Sequence, residues 1–131
     1  GLSVAAKDAR ELLSFYQSSQ IFLCTATHST SPVTVLEAMA AGCCVIAHRI
    51  AATEETIVHN ETGFLVDDPA QMADMTRRLL ANPQYCQMIG NAARRRVVDR
   101  HGKERFTEDW GAVLGQSLVS PWWRRLWSKS D

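Results

Sequence analysis

The sequence has few of the features that mark membrane, metal-binding or nucleic-acid-binding proteins. No apolar run approaches the ~20 residues that a membrane-spanning helix needs. The 14 basic and 14 acidic residues cancel, so no positive excess favours nucleic acid as a partner. With 7 glycines, 4 prolines and 46% apolar residues among 131, the composition is typical of one soluble globular domain rather than a disordered chain.

Zinc-binding cysteine patterns are also missing. The cysteines are Cys24, Cys43, Cys44 and Cys86, with no C-x-x-C pair and no histidine at zinc spacing. We therefore expect reduced, buried thiols, no metal site and a cytoplasmic location. The amino terminus has no signal-peptide pattern, and its start at Gly1 rather than methionine favours a piece of a longer protein.

Short helices and short apolar strands alternate along the chain. Residues 7–18 predict an amphipathic helix, with Leu12, Leu13, Phe15 and Tyr16 on its apolar side. Buried strands are predicted in QIFLCTA (20–26), CCVIA (43–47) and FLVDD (64–68). Further helices are predicted over 33–41, over 52–59, from Pro69, from Pro83 to about Arg100, and from near Lys103. The helix from Pro69 has an apolar stripe formed by Met72, Met75, Leu79 and Leu80. This alternation predicts an α/β fold with a parallel sheet, and three strands are few enough to indicate part of a larger domain.

The first two predicted strands end in loops that should share one edge of the sheet. Parallel sheets bind ligands beyond the carboxyl ends of their strands. The helix that begins at Ser31-Pro32 would direct its free amides, from Val33 and Thr34, towards that edge, where they suit a phosphate. Glu37 lies one turn further along and could accept hydrogen bonds from two sugar hydroxyls. The alternative is that Glu37 is a solvated helix glutamate and Ser31-Pro32 only a helix cap.

Several segments resemble one enzyme family. VLEAMAAGCCVIA (35–47) resembles the L-E-A-M-A-x-G-x-P-V-I-A signature of retaining glycosyltransferases with the GT-B fold, the "group 1" family. The following segment, to TGFLV (62–66), resembles its G-G-x-x-E-x-V-x-x-G-x-T-G-x-L-V motif, and the match in order and spacing covers about residues 1–118. The resemblance implies a partial Rossmann-like three-layer domain with a C-terminal helical end. Residues 1–120 would be the C-terminal part of the GT-B donor-binding domain, and residues 121–131 a tail rich in tryptophan and arginine.

The resemblance also implies which residues border the donor. Glu37 would hold the ribose of a nucleotide, and further substrate-binding residues would be Ser29, Thr30, Ser31, Pro32, Val33, Thr34 and Glu55. The family's first glutamate, which normally lies near the donor sugar, falls at Ser29, so no catalytic residue is assigned. Ala51-Ala52 replaces the family's Gly-Gly pair. Glu55 is either a ligand contact or a first-turn helix glutamate favoured by the helix dipole.

The implied activity is transfer of a sugar from a UDP- or GDP-linked donor to a glycan or lipid-linked acceptor, with retention, in polysaccharide biosynthesis. It would need no metal or other cofactor. The acceptor domain and the family's Gly-Arg…Lys element are absent from these residues, so we expect a hexosyltransferase-type parent enzyme and an inactive isolated chain. The alternative is a non-catalytic nucleotide- or partner-binding module from a truncated or degenerate homologue.

Two basic segments remain. Arg94, Arg95 and Arg96 are not interleaved with aromatic residues, which favours a solvated helix face over a nucleic-acid site. In the tail, Trp122, Trp123 and Trp127 lie beside basic residues. This pattern suits either peripheral contact with the cytoplasmic face of a membrane or packing against an N-terminal domain.

Overall fold

The computed structural model describes residues 9–28 and 33–101 and places three parallel strands between layers of helices. In chain order the elements are α1 (Ala9–Ser18), β1 (Ile21–Cys24), α2 (Val33–Ala40), β2 (Cys44–His48), α3 (Ala51–Thr56), β3 (Phe64–Val66), α4 (Pro69–Ala81) and α5 (Pro83–His101). The α/β class and the elements from α1 to α5 are therefore confirmed. The helix expected from Lys103, the 121–131 tail and the boundary at residue 120 lie outside the described residues.

The sheet has the strand order β1-β2-β3, and both pairings are parallel. Cys24 pairs with Ala47 and His48 with Val66, so the carboxyl ends of the three strands reach one edge together. Strand β2 lies in the middle and its first four residues are fully buried, as expected for a strand covered on both faces.

Side chains of β2 alternate between two apolar layers because successive strand residues point to opposite faces. On one face Val45 and Ala47 pack with a cluster that includes Tyr16 of α1 and Met39 of α2. On the other face Cys44, Ile46 and Phe64 pack against α4 and the first half of α5, through residues that include Leu79 and Ile89. Helices on both faces of a parallel sheet give the three-layer arrangement that the sequence predicts.

Local chemistry sets where the helices begin and end. Asp68 Oδ1 accepts a hydrogen bond from Gln71 N at 2.8 Å, and Asn82 Oδ1 accepts one from Tyr85 N at 3.2 Å, which starts α4 and α5. After α2, Gly42 has φ +85°, and the Cys43 amide donates to Ala38 O at 2.9 Å. This is a Schellman ending, for which glycine is favoured.

Two predicted core positions are wrong. Leu80 is 61% exposed and Phe15 is 40% exposed, although their neighbours Leu79 and Tyr16 are buried. Adjacent helix residues differ by about 100° around the axis, so Leu79 and Leu80 cannot both face the sheet. The same rotation turns Phe15 away from the core that Tyr16 enters.

Candidate functional site

Three loops meet at the carboxyl edge of the sheet. They follow Cys24 of β1, His48 of β2 and Val66 of β3. The loop after β1 leads to α2, and the loop after β2 leads directly to α3. This edge is where open parallel sheets bind ligands, so the helix starts beside it are the first candidates for contact with one.

The start of α2 carries the amides predicted to bind phosphate. Val33 is its first residue and is half-buried, whereas Thr34 is exposed. Amides in the first turn of a helix have no acceptor within the helix, and the helix dipole adds partial positive charge there. Ser29, Thr30, Ser31 and Pro32 precede this turn and lie outside the described residues, so their predicted roles stay predictions.

Glu37 lies one turn into α2 and is buried. Its side chain is 5% exposed, and its Oε2 accepts a hydrogen bond from the Tyr16 hydroxyl at 2.9 Å. The alternative of a solvated helix glutamate is therefore wrong. A buried carboxylate is costly to ionise, and such groups are more frequent at functional sites than elsewhere.

Burial and hydrogen bonding act in opposite directions on this carboxyl group. Removal from water raises the pKa of Glu37, and the hydrogen bond from Tyr16 partly lowers that pKa again. Burial and the nearby Glu37 carboxylate both raise the pKa of Tyr16, so its hydroxyl keeps its proton and acts as a donor. The geometry thus gives Tyr16 the donor role and Glu37 the acceptor role.

Sequence reasoning missed Tyr16 as a site residue. It placed Tyr16 only on the apolar side of the first helix, and in the structure the residue is 8% exposed within the core. A signal was present, because a buried tyrosine hydroxyl usually needs a hydrogen-bond partner. The partner is 21 residues away in sequence, and only the tertiary fold identifies it.

Glu55 is the second-last residue of α3, and its side chain is exposed. The alternative of a first-turn helix glutamate is therefore wrong, and the predicted ligand contact of Glu55 stays a prediction. The helix is fixed at both ends. Thr53 Oγ1 donates to His48 O at 2.6 Å and accepts from Ile50 N at 3.0 Å, which anchors its start to β2. At its end, Arg96 Nε donates to Thr56 O at 3.0 Å and Arg100 Nη1 to Glu55 O at 2.7 Å.

The arginine run of α5 therefore has a structural use. Arg96 is half-buried. Together with Arg100 it donates hydrogen bonds to carbonyl groups at the carboxyl end of α3, which have no partner within α3 itself. Arg95 is exposed, as a solvated face predicts. The contacts to α3 correct the solvated-face prediction for Arg96. Arg94 departs from that prediction as well, because it is half-buried and its Nη2 is buried.

Arg49 lies in the loop after β2 and links two neighbouring segments. Its Nη1 is 3.5 Å from Glu54 Oε1, and its Nε is 3.3 Å from Asp67 Oδ1. All three side chains are more than a third exposed, so these ion pairs contribute little stability. Both ion pairs occupy the guanidinium group of Arg49 with carboxylates, so they give no support for a phosphate-binding role of this residue.

The cysteines are free, and three of them are buried. Burial raises the pKa of Cys43 to about 11 and also raises those of Cys44 and Cys86. Within residues 9–28 and 33–101, no group of three or more His, Cys, Asp or Glu side chains is placed to hold a metal ion. None of the helices in that part of the chain combines the length and apolarity of a membrane span.

Comparisons with known proteins agree on one family. The model of the family "Glycosyl transferases group 1" matches residues 4–96. The human alpha-1,3/1,6-mannosyltransferase ALG2 is 31% identical over 111 residues, which are 84% of this chain and 27% of ALG2. The D-inositol 3-phosphate glycosyltransferase of Corynebacterium diphtheriae is 34% identical over 85 residues, which are 63% of this chain and 20% of that protein. The chain thus spans about a quarter of the length of these relatives.

Solved structures give the same fold. The crystal structure of the C-terminal domain of LpcC, a glycosyl transferase group 1 family protein from Francisella tularensis, has a TM-score of 0.68 and 29% identity, and the match covers 76% of this chain and 51% of that domain. Anabaena HepE, in complex with UDP-glucose, has a TM-score of 0.68 at 18% identity, and the match covers 79% of this chain and 29% of HepE. At that identity the likeness to HepE shows the fold alone. The predicted GT-B domain fold is confirmed by these matches.

Proposed function

The chain belongs to the glycosyl transferases group 1 family, and from this premise we propose that it forms part of the nucleotide-sugar site of a retaining glycosyltransferase. The observation that carries the proposal is the buried carboxylate of Glu37, one helical turn beyond the first amides of α2. A phosphate at those amides and a ribose at Glu37 fit a single nucleotide lying along the start of the helix.

The proposed chemistry assigns electrostatic roles rather than a general base. When the bond from sugar to phosphate breaks, negative charge develops on the leaving nucleotide. The amides of Val33 and Thr34, together with the dipole of α2, would stabilise that charge because they are already oriented before the reaction. Glu37 would keep the nucleotide in register by accepting hydrogen bonds from its ribose. We assign no metal or cofactor to this step.

The partners follow from the same proposal. The donor would be a UDP- or GDP-linked sugar, and the acceptor a glycan or a lipid-linked glycan bound largely by another part of the enzyme. Cytoplasmic synthesis of polysaccharide, with the tryptophans of the tail at the membrane face, is consistent with a lipid-linked acceptor. These tail residues, Trp122, Trp123 and Trp127, lie outside the described residues.

A second function is favoured by one feature of the sequence. Ser29 stands where the family has its first glutamate. A chain that keeps the ribose-binding carboxylate but not this glutamate could bind a nucleotide without transferring a sugar. Nucleotide binding is common to both functions, so it is tested first.

The test is nucleotide binding by the 131-residue chain, measured by ligand-observed NMR with UDP, GDP and ADP. We expect binding of one nucleotide, its loss in Glu37→Ala, and its retention in Glu61→Ala. Glu61 is a matched control because it is exposed and lies in the turn before β3, at the opposite edge of the sheet. A folded chain that binds none of the three nucleotides, or a Glu37→Ala variant that binds as tightly as the wild type, would refute the proposal.

A further inference from the structure

The hydrogen bond between Tyr16 and Glu37 joins two helices inside the core. Tyr16 is the third-last residue of α1, and Glu37 lies in the middle of α2. Both side chains are at least 92% buried, and the donor and acceptor atoms are 2.9 Å apart. A charged or polar group buried to this extent is stable in one orientation when its partner is itself fixed.

Tyr16, which donates the hydrogen bond to Glu37, is itself fixed by contacts of its ring and of its backbone. The ring of Tyr16 packs against the ring of Phe22 in β1, with centroids 5.7 Å apart and planes at 56°. Its backbone carbonyl accepts hydrogen bonds from Cys43 Sγ at 3.2 Å and from Ser19 N at 3.3 Å. The ring of Tyr16 is therefore held by β1 and its backbone by the segment entering β2, and together these contacts limit where the hydroxyl can lie.

A carboxylate offers two oxygens, and Tyr16 engages Oε2. This hydrogen bond restricts rotation of the carboxylate group, and so restricts the direction of the other oxygen, Oε1. A neighbouring pair of hydroxyl groups, such as the 2′- and 3′-hydroxyls of ribose, requires an ionised carboxylate in a defined orientation. The donor hydroxyl favours the ionised form, because its hydrogen bond lowers the pKa of Glu37 against the effect of burial.

We propose that Tyr16 is a positioning residue, whose hydroxyl orients the Glu37 carboxylate so that it accepts hydrogen bonds from the ribose hydroxyls of a bound nucleotide. This inference rests on the proposed function. Tyr16 does not touch the nucleotide. It acts through Glu37, so its removal lowers the contribution of the ribose 2′-hydroxyl to binding more than it lowers nucleotide binding as a whole.

The experiment compares ribonucleotides with their 2′-deoxy analogues. Kd values for UDP, GDP and ADP, and for the three 2′-deoxy forms, are measured with the 131-residue wild type and with Tyr16→Phe. We expect the wild type to bind the ribonucleotide about tenfold more tightly, as for one hydrogen bond to a charged group. In Tyr16→Phe that ratio should fall to about twofold or less. A general loss of structure would weaken both ligands alike and leave the ratio unchanged.

Tyr85→Phe is the matched control. It removes the same hydroxyl group from a half-buried tyrosine, but Tyr85 packs with Phe64 on the other face of the sheet. The ratio should stay near tenfold in this variant, as for the wild type. Circular dichroism establishes that each variant is folded before any affinity is compared.

The outcomes separate the two proposals. A wild type that binds no nucleotide refutes the proposed function and this inference with it. A wild-type preference for ribose that persists in Tyr16→Phe refutes the role of Tyr16 and leaves the proposed function standing. If Tyr16→Phe does not fold, the inference is tested instead by the proton NMR resonance of the Tyr16 hydroxyl in the wild type. The inference requires that resonance to shift with the ribonucleotide more than with the 2′-deoxy form, and equal shifts overturn it.

Discussion

Replacing Gly90 with alanine is expected to destabilise the chain, although alanine is the better helix former. Gly90 lies within α5, where it packs against the turn between α2 and β2. A Cβ atom at this position would overlap the carbonyl oxygen of Gly42 and lie 3.1 Å from its carbonyl carbon and 3.3 Å from that of Cys43. These are backbone atoms, so no side-chain rotation can relieve the contact.

The magnitude follows from two opposing effects. Overpacking against a rigid neighbour costs up to about 3 kcal/mol, and the higher helix propensity of alanine returns about 1 kcal/mol. We expect a net loss of about 2 kcal/mol, which is a fall of roughly 10 °C in Tm for a domain of this size.

The assay is urea unfolding monitored by circular dichroism, with Asn91→Ala as the control. Asn91 is the next residue of α5 and is exposed, so this substitution changes helix propensity without a new contact. It should leave the chain equally stable or slightly more stable. A Gly90→Ala variant as stable as Asn91→Ala would refute the close approach of α5 to Gly42, and with it the packing that supports α2 beside the proposed site.

Two other predictions concern buried titratable groups. Folding raises the pKa of Glu37, so the folded state holds its proton more tightly than the unfolded state. The contribution of Glu37 to stability is therefore full below its ordinary pKa and is lost as the pH rises through the raised value. Glu37→Gln should gain stability relative to the wild type between pH 4 and 8 in urea titrations, and a constant difference across that range would contradict the shift. At pH 8 a thiol reagent should modify half-buried Cys24 rapidly but react with Cys43, Cys44 and Cys86 only after unfolding, since burial keeps them protonated. A second rapidly reacting thiol in the native chain would be inconsistent with that burial.

Local signals in the sequence were sufficient to predict where α4 and α5 begin, but not where α3 ends, because the helix predicted over 52–59 ends at Thr56. Asp68-Pro69 and Asn82-Pro83 predict helix starts because an N-cap side chain and a proline at the first position act within three residues. In the structure both helices begin at those prolines, Pro69 and Pro83. Gly42 follows the helix predicted over 33–41, and a glycine at that place favours a left-handed helix ending, which Gly42 adopts in the structure.

Close contacts between segments that are far apart in the sequence could not be predicted from the sequence pattern. The segment NETG (60–63) predicts a turn, but the reason for its glycine lies in the tertiary structure. A Cβ on Gly63 would lie 2.9 Å from Val45 O in the neighbouring strand, and the residue with φ +67° in this turn is Asn60. The pairing of Tyr16 with Glu37 is of the same kind, since it depends on how α1 and α2 pack rather than on either helix alone.

The burial of Glu37 also bears on what the site is for. A carboxylate at 5% exposure, with its pKa raised by burial, reduces stability at neutral pH relative to a neutral side chain of the same shape. Glutamine could still accept the Tyr16 hydrogen bond through its carbonyl oxygen, so the fold alone does not require a charge here. Departures from the most stable choice are concentrated at functional sites. The charge at Glu37 is therefore better explained by a ligand with hydroxyl groups to donate than by the needs of the core, and this is the argument for testing the ribose before any other part of the nucleotide.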